Sequence, residues 1–482
     1  MVKAVVGEET QLKPVEDRLS QSSILSEVGL VIGKLSPAID RGFVFDLVPT
    51  PPNDAGEAAC SIFDLIKEDR KKPAKGKTQG GSDSSSIYVD KDWVGEHARQ
   101  VSRMLVGGIK VVGVYMWVSD TAFKNSTMEI CQTVKAVAEA APANYNERLI
   151  IHISYSPRRW TCRNFNPLPN ITSSSLRHCE FKMGRVLNSL QRFKTTYNFN
   201  IRLPVTCEMT SNIRTLSDAL QRGISVIAKE LKGAKALVDG KLVVEDEPCT
   251  SDDLHDIELL LPFMKDACTA YVLENIIGVL KLGGSVSSFA FLTSKEPISQ
   301  AIADIKDDII ASLKSRLDII CDEADGGMPE SESNHDMLPE KLIPQTDIQL
   351  LRNPSSLGFP RRVFAPWLGG TYICDYLQPS ETLQVLKDHC AELLSKEVQM
   401  DTSENLDPEF EVSSVVHKSF WEAMAPSHPH FNSASRELPS NSNKAVEKPG
   451  KLAGSLNFSI IAAALALIFS ILVGYLVFAR TL

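Results

Sequence analysis

From Ala453 to Ala479 the chain runs for 27 residues without a charged side chain. No other feature restricts its folding so tightly. Between Phe458 and Phe478 thirteen positions are Leu, Ile, Val or Phe: Phe458, Ile460, Ile461, Leu465, Leu467, Ile468, Phe469, Ile471, Leu472, Val473, Leu476, Val477 and Phe478. About 20 apolar residues in a helix span a hydrocarbon core of roughly 30 Å, and a single span in lipid can satisfy its backbone only as a helix. At roughly −0.4 kcal/mol for each such residue, the thirteen favour insertion by about 5 kcal/mol. A core helix of a soluble domain rarely runs so far without a polar face. The sequence therefore predicts a single transmembrane helix over 453–479.

Its flanks predict an orientation. Lys444, Lys448 and Lys451 precede the span against one Glu447, and only Arg480, Thr481 and Leu482 follow it. The excess of positive charge on the N-terminal side keeps residues 1–450 cytosolic, and so short a tail implies insertion after synthesis. Met1 to Ser20 is polar and charged, with no apolar core of a signal peptide. A long, strongly apolar span without a basic tail suits the endoplasmic reticulum. The bilayer is thus the first expected partner.

Composition matters mainly for what it excludes. With 51 basic and 60 acidic side chains the net charge is −9, which argues against nucleic-acid binding through clustered Lys and Arg. Ten cysteines with no CxxC pair fit a reduced compartment better than a disulfide scaffold or zinc module. The mean hydropathy of −0.07 averages two unlike parts.

The part before the span divides at composition shifts. Residues 67–86 are basic, then Ser-rich, and read as a disordered insertion; 322–345 read as an acidic linker; 401–452, rich in Ser, Asn, Pro and Glu, read as a disordered stalk. Residues 1–145 carry a strand–strand–helix–strand–helix pattern: Val28–Leu35, Gly42–Pro49, Trp93–Leu105, Ile109–Trp117 and Thr127–Ala140. Residues 146–400 form a second, mixed α+β domain. It holds strands at Leu149–Tyr155, Phe199–Cys207, Ala267–Leu273 and Val286–Leu292, and helices at Ile213–Leu231 and Ile298–Ile320. It ends in a hairpin around Gly369-Gly370 and a helix capped by Ser380. The fold class expected is α/β and α+β.

No catalytic spacing is present: HExxH, GxSxG and GxxxxGK[ST] are all missing. His428 and His430 have no third ligand nearby, and His97 lies on the apolar face of its helix, the place of a packed histidine. No cofactor or metal is implied. The one thiol with basic neighbours is Cys162, between Arg159 and Arg163, and it supports an alternative reading as a thiol-dependent hydrolase.

Three stretches resemble the odorant-response-abnormal protein four family of tail-anchored membrane proteins. The first is Gly29 to Lys34, with Gly29 and Gly33. The second runs from Glu96 through His97, Gln100, Val101, Arg103, Met104, Leu105, Gly107 and Gly108 to Gly113 and Tyr115. The third joins Phe364 and Pro366 to Cys374, Asp375 and Tyr376. The resemblance implies a non-catalytic adaptor or chaperone at the endoplasmic reticulum. It would recruit a ubiquitin-fold-modifier cysteine protease and assist the trafficking of multi-pass receptors such as G-protein-coupled receptors. In its order of elements the N-terminal block also resembles the MPN (JAB) fold. Active members place a His-Ser-His-Pro run after a Gly-x-Tyr strand to hold zinc; here those positions are Met116, Trp117, Val118 and Ser119, with Glu27 near the place of the acidic residue. The resemblance thus implies a pseudoenzyme module.

Overall fold

The N-terminal third builds a sheet that closes on itself. Its strands are β1 (Ala4–Glu8), β2 (Glu27–Ser36), β3 (Arg41–Pro49), β6 (Lys110–Trp117), β7 (Arg148–Tyr155), β8 (Arg158–Phe165) and β9 (Leu176–Gly184), in the order β1-β3-β2-β6-β7-β8-β9 with β9 returning to β1. Near-continuous apolar runs such as Val111–Trp117 fit strands covered on both faces. One face packs on α1 (Glu9–Gln21) through Leu12 and Leu19; the other packs on α2 (Lys91–Met104) and α4 (Thr127–Ala140) through Val94, Ala98, Val101, Ile130 and Val134. Asp90 caps α2 by accepting the Trp93 amide at 3.0 Å. The short helix α3 (Asp120–Asn125) follows β6, and β4 (Cys60–Asp64) with β5 (Ser85–Val89) forms a separate hairpin.

The second sheet is organised on a long antiparallel pair, β10 (Leu190–Thr206) and β14 (Ile276–Thr293), in one register from Leu190↔Thr293 to Val205↔Gly278, with a shift before Thr206↔Ile276. Beside them lie β11 (Lys235–Val238), β12 (Lys241–Leu242), β13 (Leu254–Leu260), β15 (Ser356–Leu357) and β18 (Val415–Lys418), in the order β12-β11-β13-β10-β14-β18-β15. Helices α5 (Leu216–Gly233) and α6 (Ile298–Gly326) cover it with Leu220, Ile224, Ile227, Ile305, Ile309 and Leu313. The hairpin β16 (Arg361–Pro366) and β17 (Tyr372–Leu377) and the helix α7 (Leu383–Leu394) complete the set.

This computed structural model describes residues 2–36, 39–64, 85–167, 176–206, 216–243, 254–262, 276–326, 356–357, 359–378, 380–396, 409 and 415–418. They fall in the first of two compact units, Met1–Ala425. Among them no helix is long and apolar enough to cross a membrane; the expected span at 453–479 lies outside the described residues, as does the strand expected at Ala267–Leu273.

Several boundaries differ from expectation. The division after residue 145 falls inside the closed sheet, because β7 pairs in parallel with β6 and β8 and β9 complete the closure; the chain passes to the second sheet between Gly184 and Leu190. The terminal hairpin and α7 share the hydrophobic cluster of β2, α2 and α4, not that of the second sheet: Phe364, Ile373, Cys374, Leu386 and Cys390 pack with Val101 and Met104. Helix α7 starts from Thr382, two residues past Ser380. Ser85 and Ser86, placed in the insertion, open β5, and α6 continues to Gly326, into the expected linker. Within the expected stalk Val415–Lys418 is a strand paired with β14 and β15, and Glu409 is buried.

Candidate functional site

Part of the set that carries the family resemblance, the loop after α2, crosses the seam between the closed sheet and the second one. Leu105 bridges to Ile373 and Gly107 to Ala290, while the Phe291 amide donates to the Gly107 carbonyl at 3.0 Å. Gly107 and Gly108 have φ of +70° and +83°; a Cβ on Gly107 would sit 2.3 Å from the Phe291 ring and one on Gly108 2.3 Å from Asp304. Only glycine allows this loop to touch the second sheet. Gly29, Gly33 and Gly113 serve closeness within the closed sheet, since a Cβ at each would meet a neighbouring strand's carbonyl.

Charge is buried where the sheets join. Lys34, 3% exposed, donates to the Phe291 carbonyl at 2.9 Å and to Asp304 Oδ2 at 2.7 Å, and lies 3.4 Å from Glu296 Oε1. Burial works to lower its pKa, but Asp304 and Glu296 outweigh burial and hold it above the ordinary lysine value. Along α6, Asp304, Asp308, Ser312 and Arg316 recur every four residues and are all buried. Asp308 takes both ends of the Arg362 guanidinium, at 2.7 and 2.9 Å, and the Ser288 hydroxyl at 2.7 Å. Glu409 accepts from Arg316 and from the amides of Ser287 and Arg362, both at 2.7 Å. A cavity of about 170 Å³ lies along this seam, lined by Arg103, Gly108, Lys110, Asp304, Asp308 and Arg362 among others.

The remaining motif residues tie α2 to the C-terminal hairpin and α7. His97 is buried; its Nε2–H donates to the Leu393 carbonyl at 2.8 Å and its Nδ1 lies 3.3 Å from the Thr50 hydroxyl, and burial lowers its pKa. The Cys374 thiol donates to the Arg103 carbonyl at 3.4 Å, Arg103 reaches Asp318 at 2.9 Å, and Gln100 donates to Glu96 at 2.8 Å. Asp375 pairs with His389 at 2.7 Å and raises its pKa. Tyr376 is buried beneath Arg362 and Arg316, and Pro366 pairs with Tyr372. Lys396 binds Asp46, closing α7 onto β3.

The residues after β6 do not suit a hydrolytic zinc. Met116 and Val118 are fully buried in the core, and the Trp117 indole donates to the Ile24 carbonyl at 3.1 Å; none of the three side chains offers the nitrogen or oxygen ligand such a metal needs. Glu27 is engaged by the Tyr115 hydroxyl at 2.6 Å and by both ends of Arg18, at 2.9 and 2.6 Å. His152 does approach this place. Its Nε2–H donates to the Val118 carbonyl at 3.1 Å, its ring stacks on Phe123, and Nδ1 is 3.8 Å from Asp120. Burial, with Arg163 and Arg159 nearby, pushes its pKa down to about 4 despite Asp120. Among the described residues no three His, Cys, Asp or Glu side chains gather to hold a metal.

Cys162 is not the activated thiol its arginine neighbours suggest. It is fully buried opposite Cys179, and its hydrogen bond to Cys179 together with burial drives its pKa well above the ordinary value, outweighing Arg163. A buried neutral thiol is a poor nucleophile.

Sequence reasoning missed Lys34, Asp304, Asp308, Arg316 and Glu409 as a group. The available signal was the polar four-residue stripe on α6, which lies beside its apolar one, and a lysine inside an apolar strand.

The likeness to known proteins follows the same residues. A family profile described as odorant response abnormal 4-like matches residues 29–405. A mouse protein named odr-4 homolog is 24% identical over 446 residues, covering 87% of each chain. A human protein of that name is 26% identical, covering 66% of this chain and 71% of its own, and a Dictyostelium discoideum one is 25% identical, covering 81% and 78%. Among solved structures, UfSP from C. elegans aligns with 83% of this chain and 59% of its own at 8% identity, with a TM-score of 0.36, too low to support any inference. With the profile running from the first strand of the seam to the edge of Glu409, the chain belongs to the odorant response abnormal 4-like family.

Proposed function

We propose that the chain is a non-catalytic adaptor anchored in the endoplasmic reticulum membrane by residues 453–479. It recruits a ubiquitin-fold-modifier cysteine protease and assists the folding or trafficking of multi-pass receptors. The observation that carries this reading is that the family-like residues are spent on structure. Gly107 and Gly108 meet the second sheet and α6, Gly29, Gly33 and Gly113 pack the closed one, and His97 and Cys374 tie α2 to the C-terminal hairpin and α7. The mixed α/β closed sheet acts as an MPN-like pseudoenzyme module, a reading supported by Met116 and Val118 at the metal positions and by a Glu27 already neutralised by Arg18 and Tyr115. A thiol hydrolase built on Cys162 finds no support in a buried thiol of raised pKa.

The test is capture of the full chain from detergent-solubilised membranes, followed by assay of the eluate for cleavage of a ubiquitin-fold-modifier fusion. The wild type and Cys162→Ser should retrieve equal activity, and that activity should disappear when the captured protease's own thiol is blocked. Activity retrieved by the wild type and lost with Cys162→Ser would overturn the adaptor reading.

A further inference from the structure

Two thiols face each other where the first sheet closes. Cys162 on β8 and Cys179 on β9 lie directly opposite in the antiparallel register, and both are buried in the apolar cluster beneath α1. Opposed residues of such a pair lie about 4.5 to 5.5 Å apart at Cα, inside the range that a disulfide bridges. The two side chains are already hydrogen-bonded to each other, so their sulfurs meet on one face. Among the described residues the other strand cysteines lack such a partner: Cys60 lies opposite Val89 and Cys374 opposite Phe364. The Cys179 thiol has a second contact. It donates to the Val2 carbonyl at 3.3 Å, which also accepts from the Asn164 amide at 3.3 Å, while the Val2 amide donates to Glu147 Oε2 at 2.9 Å. These bonds hold the chain as it enters β1, the strand on which β9 closes.

We propose that Cys162 and Cys179 form a redox switch: a hydroperoxide joins them in a reversible disulfide that fastens β9 to β8 and releases the thiol's hold on Val2. Position assigns the order of attack. Cys179 is the one buried residue of a strand whose others are exposed or half-buried, so local opening brings it first to a molecule as small as hydrogen peroxide. As a thiolate it accepts from the Cys162 thiol, which lowers its own pKa and raises that of Cys162. The Cys179 thiolate attacks a peroxide oxygen. The O–O bond breaks, hydroxide leaves and combines with the proton the thiol gave up, and Cys179 becomes a sulfenic acid. Cys162 then attacks the Cys179 sulfur: the S–S bond forms, the S–O bond breaks, and the departing hydroxide takes the Cys162 proton as a second water. Two thiols are oxidised and one peroxide is reduced to two waters. A thiol reductant such as glutathione reverses the change. The bridge closes a loop of about 17 residues, enough to favour the folded chain. The switch needs neither the membrane anchor nor the protease partner.

The experiment treats the reduced, folded full chain in detergent with hydrogen peroxide, alkylates the remaining thiols and maps the cysteines by peptide mass spectrometry. Cys162 and Cys179 should be recovered as one linked pair, formed about tenfold or more faster than Cys60, Cys131 or Cys374 is oxidised. Glutathione should return both thiols, and the oxidised chain should melt about 5 °C or more above the reduced one. In Cys162→Ser, which lacks the resolving thiol, dimedone should trap a sulfenic acid at Cys179. In Cys179→Ser none should form at Cys162, and one that did would overturn the order of attack. The wild-type map stands by itself should either variant fail to fold. A chain that yields no linked pair, or yields it only after unfolding in urea, overturns the switch. Linkage of either thiol to a different cysteine overturns the pairing, and a pair that forms without raising the melting temperature overturns the fastening of β9.

Discussion

At the scale of single residues the account rests on charges that water cannot reach. Lys34 lies 2.7 Å from Asp304 and 3.4 Å from Glu296, and its removal leaves both carboxylates buried at the seam without that cation. Breaking a buried pair on one side costs about 3 to 5 kcal/mol. Lys34→Met should therefore lower unfolding stability by that much in urea titration, although methionine fills most of the space. A second outcome concerns acid. Burial lowers the pKa of His152 in the folded chain to about 4 from the ordinary histidine value of 6.5, so the unfolded chain binds a proton that the folded chain refuses. Stability is then full above pH 6.5 and falls as pH drops through the window towards 4, by roughly 3 kcal/mol for this group alone. His97, also lowered by burial, works in the same direction. Thermal melts between pH 7 and pH 4 should show the slope, and His152→Gln should flatten it.

At the scale of elements, the seam shows what is local in a sequence and what is not. Helix α2 was legible because Trp93, His97, Val101 and Met104 or Leu105 recur at helical spacing, β3 because its apolar run ends in prolines, and β6 because its run follows Gly107-Gly108. The pair β1–α1 was not, since Ala4–Gln21 is polar and carries Pro14 inside the helix. Strand β8 hides its role because Arg158 and Arg159 open it and Arg163 interrupts the buried Cys162, Asn164 and Phe165. The destination of the C-terminal hairpin was hidden for a different reason: Phe364 meets α2 across some 260 residues of chain, and no periodicity records a partner that distant. Glu409 is the extreme case. It lies in a stretch whose composition reads as a stalk, yet its carboxylate joins Arg316 of α6 to the amides of β14 and β16. Glu409→Ala should destabilise the chain by about 3 to 5 kcal/mol, because it strands a buried guanidinium. Proteolysis should then cut earliest between Lys396 and Val415. A truncation at residue 400 removes Glu409 and should carry the same loss of stability.

At the scale of the whole molecule, the closed sheet carries an apolar cluster on each face. It meets the second sheet, with its own cluster, across a seam of buried charge, and in the sequence the uncharged stretch at 453–479 follows later. The family was legible from the order and spacing of three stretches, and the profile over residues 29–405 agrees with it. The buried charges of the seam were not legible, because Lys34, Asp304, Arg362 and Glu409 come together only in the fold. Buried ion pairs fix the two sheets, and Met116, Val118 and Cys162 are packed in the core.

The most direct measurement is fractionation of cells expressing either the full chain or a version ending at residue 452. With the full chain, both the chain and its protease partner should sediment with membranes; with residues 1–452, both should move together into the soluble fraction, with thermal stability unchanged. If the truncated chain or the protease stayed with the membranes, residues 453–479 would not be the tether, and the adaptor account would be contradicted.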